Sequence, residues 1–302
     1  MKAIDLFAGA GGFSTGAVQA GCEVVWAANH WPAAVQVHAN NHPGTLHVCQ
    51  DLQQADWTQV PDHDLLLASP ACQGHTNARG KERPHHDAQR STAWAVVSAA
   101  ECHRPAALVV ENVKEFAKWE LYPAWCAAMH ALGYALAPMV LDTADHGVPQ
   151  HRQRLIIVGT RSKHPIVLNL PRRPHAPASS VIDFDAGEWT LLRDKVPATR
   201  ASARRGRERF GDRFVMPYYG GGTGLTGRCL SRPIGTITTK SRWGIVDGER
   251  MRMSSIAENS AFMGFPAGYQ LPPTVAEANI MLGNAVVPIQ ACDVITAIRE
   301  AA

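Results

Sequence analysis

The chain is 302 residues long, enough for one α/β domain carrying an insertion or for two domains. Hydrophobic residues make up 46% and charged residues 18%, a balance that supports a large buried core and excludes global disorder. Formal net charge is only +3, but residues 161–228 hold 13 Lys and Arg against 6 Asp and Glu, and the remainder 16 against 20. A basic segment in a mildly acidic protein suits a polyanion, although a solvated charged loop gives the same count.

No apolar run approaches the roughly 20 residues of a membrane helix, and the opening MKAIDLFAGAGG does not resemble a signal peptide. The expectation is a cytoplasmic protein with no membrane partner. The seven cysteines contain no C-x-x-C pair, so neither a metal site nor a disulfide framework is expected.

In chain order, short aliphatic runs at 3–8, 24–28, 46–48, 65–68, 108–110 and 155–158 predict strands, and 31–41, 92–103 and 123–132 predict helices. Strands alternating with helices predict an α/β fold with a doubly wound, mostly parallel sheet covered on both faces. The alternation stops near Thr160. From there to about Pro273 the chain is rich in Gly, Pro and Arg, and 276–301 reads as helix again, broken at Gly283-Asn284. The expected organisation is a first domain of 1–160 plus 276–302 and a smaller second domain of 161–275.

Four segments carry candidate chemistry. DLFAGAGG at 5–12 closes the first strand with glycines that let backbone approach a ligand at the carboxyl edge of the sheet. The dinucleotide fingerprint needs a third glycine at position 14, which is Ser14, so a nicotinamide enzyme is disfavoured. SPACQG at 69–74 puts Cys72 in a loop after the fourth strand, where a cysteine can be a nucleophile, or simply a buried small residue. Glu111 follows the next strand as an active-edge carboxylate or a helix-start acid. In QHRQR at 150–154, alternate residues of an extended chain share a face, so Arg152 and Arg154 are expected to point the same way, toward oxygen acceptors or solvent.

Together, DLFAGAGGFS, P-x-C-Q, ENV, Q-x-R-x-R and the late GNAVVP, in this order over nearly the whole chain, resemble the cytosine-C5 DNA methyltransferases. The stretch RCLSRPIGTITTKSRWGIV, Glu258 and Phe265-Pro266 are similar to that family's segment before the last motif. The resemblance implies the S-adenosylmethionine-dependent methyltransferase fold with a smaller target-recognition domain. It implies Cys72 as the nucleophile that adds to cytosine C6, and Glu111, its pKa raised, as the proton source at N3. Arg154 would hold the base O2, with Arg152 supporting the Cys72 loop or a phosphate. For S-adenosylmethionine it implies Phe7, Gly9, Gly11 and Pro70 near the methionine part, Trp31 on the adenine, Asp51 on its amino group and Asn284 closing the site. The cytosine of double-stranded DNA would be flipped out of the stack. A loop at 74–94 with Arg79, Lys81, Arg83 and Arg90 would close over it, beside Gln73. In the basic segment Arg200, Arg204, Arg205, Arg207, Arg209 and Arg213 would contact phosphates, with a minority reading bases, and Tyr218, Tyr219 and Gly220 to Gly222 would enter a groove.

Two positions depart from the family pattern. Asn29-His30 stands where the family has Glu after the second strand, and His30 is read as the ribose contact. Ala71 stands where the family has Pro before the cysteine. The resemblance also implies a monomer, and a cognate restriction endonuclease as partner. Alternatives are an RNA cytosine-C5 methyltransferase on the same fold, whose tRNA-methylating branch carries a C-F-T tripeptide not found here, and a catalytically silent DNA-binding relative.

Overall fold

A computed structural model describes residues 1–71, 91–218 and 227–301. The chain forms two compact units, one of residues 1–142, 153–171 and 285–302, the other of 143–152 and 172–284. The boundaries therefore differ from those expected: the first unit runs on to 171, 143–152 groups with the second, and the C-terminal return begins at 285 instead of 276.

The first unit is built on a seven-stranded sheet: β1 (Lys2–Leu6), β2 (Glu23–Asn29), β3 (Leu46–Cys49), β4 (Leu65–Ala68), β5 (Ala107–Asn112), β6 (Ala135–Asp142) and β7 (Gln153–Thr160). Their order is β3-β2-β1-β4-β5-β7-β6, parallel except that β7 runs antiparallel to both its neighbours. The central strands are mostly apolar because both faces are covered: β4 (LLLA) is wholly buried, and the buried polar exceptions are Asp5 on β1 and Glu111 and Asn112 at the end of β5. Helices α1 (Gly12–Gln19), α2 (Pro32–Asn41), α3 (Ala93–His103), α4 (Tyr122–Ala131) and the C-terminal α8 (Pro288–Ala301) complete this unit. One core holds Trp26, Leu66, Val96, Phe116 and Trp125; the other holds Phe13, Leu67, Val109, Ile156 and Ile295.

Strand β6 was not predicted. Its Pro138 reads as a breaker, but β6 is the last strand of the sheet, where a missing N–H costs no ladder bond on the open side.

The second unit carries an antiparallel sheet, ordered β10-β9-β11-β12-β8, of β8 (Thr190–Leu191), β9 (Arg213–Pro217), β10 (Arg228–Cys229), β11 (Trp243–Asp247) and β12 (Arg250–Met253). Helix α5 (Pro197–Phe210) packs on it through Ala203 and Gly206, where a Cβ on Gly206 would lie 2.2 Å from the Phe214 ring. Two further helices, α6 (Ile256–Phe262) and α7 (Val275–Asn284), belong to this unit. Glu258 completes the capping box of α6 and also takes both arms of Arg252 at 2.7 Å. Burial pushes its carboxyl up, but Arg252 and the Ser255 N–H together hold it below the usual range. The stretch Val275–Ala301 is long and apolar enough to cross a membrane, yet it is two helices separated at 285–287 and mostly buried.

Candidate active site

Strand β1 ends at Leu6 and the chain turns through Phe7 (φ 61°), Gly9 (φ 54°) and Gly11 (φ 86°) into α1. Phe7 is a non-glycine residue in the left-handed region, a strained conformation of the kind that clusters at ligand sites. Gly12 admits the C-terminal segment: a Cβ there would sit 1.9 Å from the Val286 carbonyl oxygen. Ala285-Val286-Val287, from the late GNAVVP motif, thus lies directly against the glycine-rich turn.

Beside that turn is a hollow lined by Ala8, Gly9, Ala27, Ala28, Asn29, Ala34, Val35, His38 and His47. Its walls are small side chains with one polar flank. Asn29 sits at the end of β2, its Oδ1 accepting the Trp31 N–H at 2.9 Å. His30, the expected ribose contact, is exposed and is not on this wall. Successive residues at a strand end point to opposite sides, so Asn29 faces the hollow and His30 does not. Trp31 is half-buried at the head of α2. Asp51 is exposed and caps the short turn Leu52–Gln54 by accepting the Gln53 N–H at 3.0 Å. Asn284 is exposed at the end of α7.

The second part of the site lies along β4, β5 and β7. Glu111 is 6% exposed at the end of β5. The antiparallel register sets Asn112 opposite Leu155, and Arg154 one residue beyond reaches back so that its Nε lies 3.0 Å from Glu111 Oε1. Asn112 donates its Nδ2 to the Pro70 carbonyl at 3.1 Å, and the Ala71 N–H donates to Thr92 Oγ1 at 3.1 Å. The backbone immediately before Cys72 is therefore anchored to the residue that follows Glu111. Asn112 and Thr92 were missed in the sequence; the Asn of ENV was the available signal. Cys72, Gln73, Arg79, Lys81, Arg83 and Arg90 lie outside the described residues, as do Tyr219 and Gly220 to Gly222.

The expectation that Arg152 and Arg154 share one face is corrected. Arg152 precedes β7 and is buried; its Nη1 and Nη2 donate to the carbonyls of Ile237 (3.1 Å) and Gly283 (2.9 Å) within the second unit. Gln150 is tied likewise, accepting the Ile237 N–H at 2.6 Å and donating to the Phe262 carbonyl at 3.0 Å. Arg154 meets the Glu111 carboxylate.

On α5, Arg200, Arg204, Arg205 and Arg209 are exposed, on the arc away from the buried Ala203 and Gly206. Arg207 instead binds Glu249 and the Gly248 carbonyl, and Arg213 pairs with Asp247 at 2.8 Å. The expected cluster of six is thus four outward-facing guanidiniums and two engaged in ion pairs.

A sheet of this order, with a strained glycine-rich turn at its carboxyl edge and a Glu111–Arg154 pair whose neighbour Asn112 holds the Pro70 carbonyl, defines a group-transfer enzyme of the methyltransferase class. The sequence model described as C-5 cytosine-specific DNA methylase matches residues 1–188, and the chain belongs to that family. It is 30% identical over 300 residues to the type II methyltransferase M.NlaX of Neisseria lactamica, covering 95% of this chain and 93% of that one. It is 26% identical over 307 residues to M.HhaI of Haemophilus parahaemolyticus, covering 95% and 90%. Among solved structures, the Dnmt2 methyltransferase of S. pombe superposes with a TM-score of 0.68 at 16% identity, covering 99% of this chain and 98% of that one. The protein is a DNA cytosine-5 methyltransferase.

Proposed function

We propose that the chain methylates C5 of a cytosine flipped out of double-stranded DNA, with S-adenosylmethionine as donor and Cys72 as covalent nucleophile. The observation that carries this reading is the buried Glu111–Arg154 pair beside the anchored Pro70-Ala71 backbone. Cytosine C5 is a poor nucleophile. A thiolate adding to C6 makes it enamine-like, and protonation at N3 stabilises the adduct. Glu111 is the group for N3, and Arg154 both orients that carboxyl and offers N–H donors to O2. Loss of the C5 proton then expels the cysteine.

The nucleoside of the donor is assigned to the side of the sheet edge where this hollow lies, because small apolar residues, the uncharged Asn29 and the glycine turn line it. When bound, S-adenosylmethionine supplies an electrophilic methyl group. Asn29, Trp31 and Asp51 are the residues we assign to its adenosine, and Phe7, Gly9, Gly11 and Pro70 to its amino-acid end. The exposed α5 arginines, Arg204, Arg205 and Arg209 among them, are read as phosphate contacts of a target-recognition unit. The protein is read as a cytoplasmic monomer whose partner is a cognate restriction endonuclease.

Transfer of labelled methyl from S-adenosylmethionine to duplex DNA tests the reading. Wild-type protein should label DNA and not RNA, and Cys72→Ser should abolish transfer while retaining DNA binding. DNA with 5-fluorocytosine at the target should trap an adduct, because C5 then has no proton to lose. Substantial turnover by Cys72→Ser would overturn the covalent mechanism, and labelling of RNA alone would overturn the substrate.

A further inference from the structure

Beneath the hollow runs a chain of polar side chains, three buried and one partly buried, that methyl transfer does not use. Asp5, on β1, is fully buried. Its Oδ2 meets Ser14 Oγ at 2.7 Å and the Ser14 N–H at 3.1 Å. Ser14 Oγ meets His38 Nε2 at 2.8 Å, and His38 Nδ1 meets His47 Nε2 at 2.8 Å. His38 is 1% exposed, whereas His47 is only partly buried, and both line the hollow. Asp5 Oδ1 has no hydrogen-bond partner among the described residues.

Burying polar groups is costly unless every link is made, and apolar side chains would serve packing alone. What apolar residues cannot do is move a proton. With Asp5 ionised, Ser14 donates to Asp5, His38 Nε2 donates to Ser14, and His47 Nε2 donates to His38 Nδ1. A proton arriving at His47 Nδ1 reverses every donor. The Nε2 proton of His47 passes to His38 Nδ1, the Nε2 proton of His38 to Ser14 Oγ, and the hydroxyl proton of Ser14 to Asp5. Atoms and charge balance: one proton enters at His47 and one carboxylate is neutralised at Asp5.

We propose that Asp5, Ser14, His38 and His47 form a proton relay from the cofactor hollow to the core of the sheet, so that occupation of the hollow is coupled to exchange of one proton. The proposal rests on the cofactor reading above. Besides its own members, two groups among the described residues act on the chain: the Thr45 backbone, which hydrogen-bonds His47, and His42, whose ring lies 4.6 Å from that of His38 on α2 and whose Nε2 reaches Thr15 of α1 at 3.2 Å. Among the described residues, no Lys or Arg, and no acid besides Asp5, acts on any of the four. Burial pushes Asp5 up to about 7, against the opposing Ser14 hydrogen bonds, and holds both relay histidines below their usual range. Asp5 is thus the member that titrates near neutrality. A donor bearing a sulfonium cation favours the ionised carboxylate, so binding releases the proton through His47.

The test is calorimetric titration of wild-type protein with S-adenosylmethionine and with S-adenosylhomocysteine at pH 7. Buffers of different ionisation enthalpy make the exchanged protons countable. Release of up to roughly half a proton is expected with the sulfonium compound, since Asp5 is near half-protonated there, and less with the uncharged thioether. Asp5→Asn removes the titrating carboxyl; it should still bind the ligand, with the proton count falling toward zero. Ser14→Ala cuts the relay between Asp5 and His38; it should still bind, and a pH indicator followed in stopped flow should show the proton released more slowly than in wild type. A wild-type count of zero from pH 6 to 8, an unchanged count in Asp5→Asn, or an unchanged release rate in Ser14→Ala overturns the relay. Failure of wild type to bind either compound overturns the cofactor reading instead. Binding with no proton exchange leaves that reading intact and removes the relay alone.

Discussion

Gly16 decides how closely the C-terminal helix can approach the glycine-rich turn. It lies inside α1, where alanine would ordinarily be worth roughly 0.8–1 kcal/mol over glycine. Here a Cβ would stand 2.6 Å from the Ala291 Cβ, 2.6 Å from the Pro288 carbonyl oxygen and 2.8 Å from the Cys292 nitrogen. Carbon contacts settle near 3.5–4.0 Å, so α1 and α8 would have to separate by about 1 Å. Two of the three obstructing atoms are backbone and cannot rotate away. The interface also holds Phe13, Ala17, Val286, Val294 and Ile295 in one buried cluster, so separation opens the core around them. Overpacking costs roughly 1–3 kcal/mol, and immovable neighbours place this site at the upper end. After subtracting the helix gain, Gly16→Ala should destabilise by about 2 kcal/mol. Thermal unfolding should show this as a midpoint lowered by roughly 4–8 °C. Gly44→Ala is the control, because nothing lies within 4 Å of its Cβ position, and its midpoint should be unchanged. A Gly16→Ala protein as stable as wild type, or more stable by the free-helix increment, would refute the close packing of α1 on α8.

Three more outcomes are expected. Asn29→Ala should weaken S-adenosylhomocysteine several-fold in calorimetry while His30→Ala binds like wild type, since one neutral hydrogen bond is worth about 0.5–1.5 kcal/mol; the reverse result would restore the His30 assignment. Neutralising Arg204, Arg205 and Arg209 should flatten the log–log salt dependence of DNA binding by roughly 0.9 for each phosphate that is no longer neutralised, whereas an unchanged slope with altered site choice would show that they read bases. Asp5 titrates higher in the fold than in the unfolded chain, from 3.8 to about 7. Its contribution to stability is therefore full below about pH 4 and lost as pH rises through 7. Asp5→Asn should flatten urea midpoints across that window, and an unaltered pH profile would contradict the raised value.

The parallel half of the large sheet was legible because its strands are short apolar runs between helices, and β1, β2, β4 and β5 appear within one or two residues of their expected positions. The small sheet was not legible. Two of its strands are two residues long, and its pairing is antiparallel between segments too short to show alternation. Helix α5 was hidden by its composition: Gly206 reads as a breaker until Phe214 is seen to require it, and the arginines obscure the Ala203–Gly206 face. In the candidate site, Glu111 and Arg154 were legible as candidates because each adjoins an apolar strand, and the structure pairs them. That Asn29 and not His30 lines the hollow was not legible, because the end of a strand, and hence which side chain faces inward, is what an apolar run fixes least well. His38 and His47 were invisible as a pair, because nothing local records that α2 and β3 bring positions nine apart within 2.8 Å.

The correction at Arg152 also explains why Q-x-R-x-R is a motif rather than a pair of arginines. The chain passes from the second unit to the first between residues 152 and 153. Gln150 and Arg152 spend their polar atoms on backbone groups of 237, 262 and 283, all in the second unit. Arg154 spends its guanidinium on Glu111, in the first. The same division recurs in GNAVVP, where Gly283 must lack a side chain because a Cβ would fall 2.3 Å from the Thr239 nitrogen in the second unit. Val286, three residues on, presses on Gly12 in the first. At both crossings, residues two or three apart are therefore committed to different cores. Arg152→Lys should accordingly act on the stability of the second unit, since one ammonium cannot span the two carbonyls that Nη1 and Nη2 hold. Arg154→Lys should leave unfolding nearly unchanged and act on turnover, because it keeps the charge near Glu111 and loses the fixed fork. Unfolding and single-turnover measurements on the two variants separate the assignments, and equal effects of both substitutions on either quantity would show that the motif does not divide in this way.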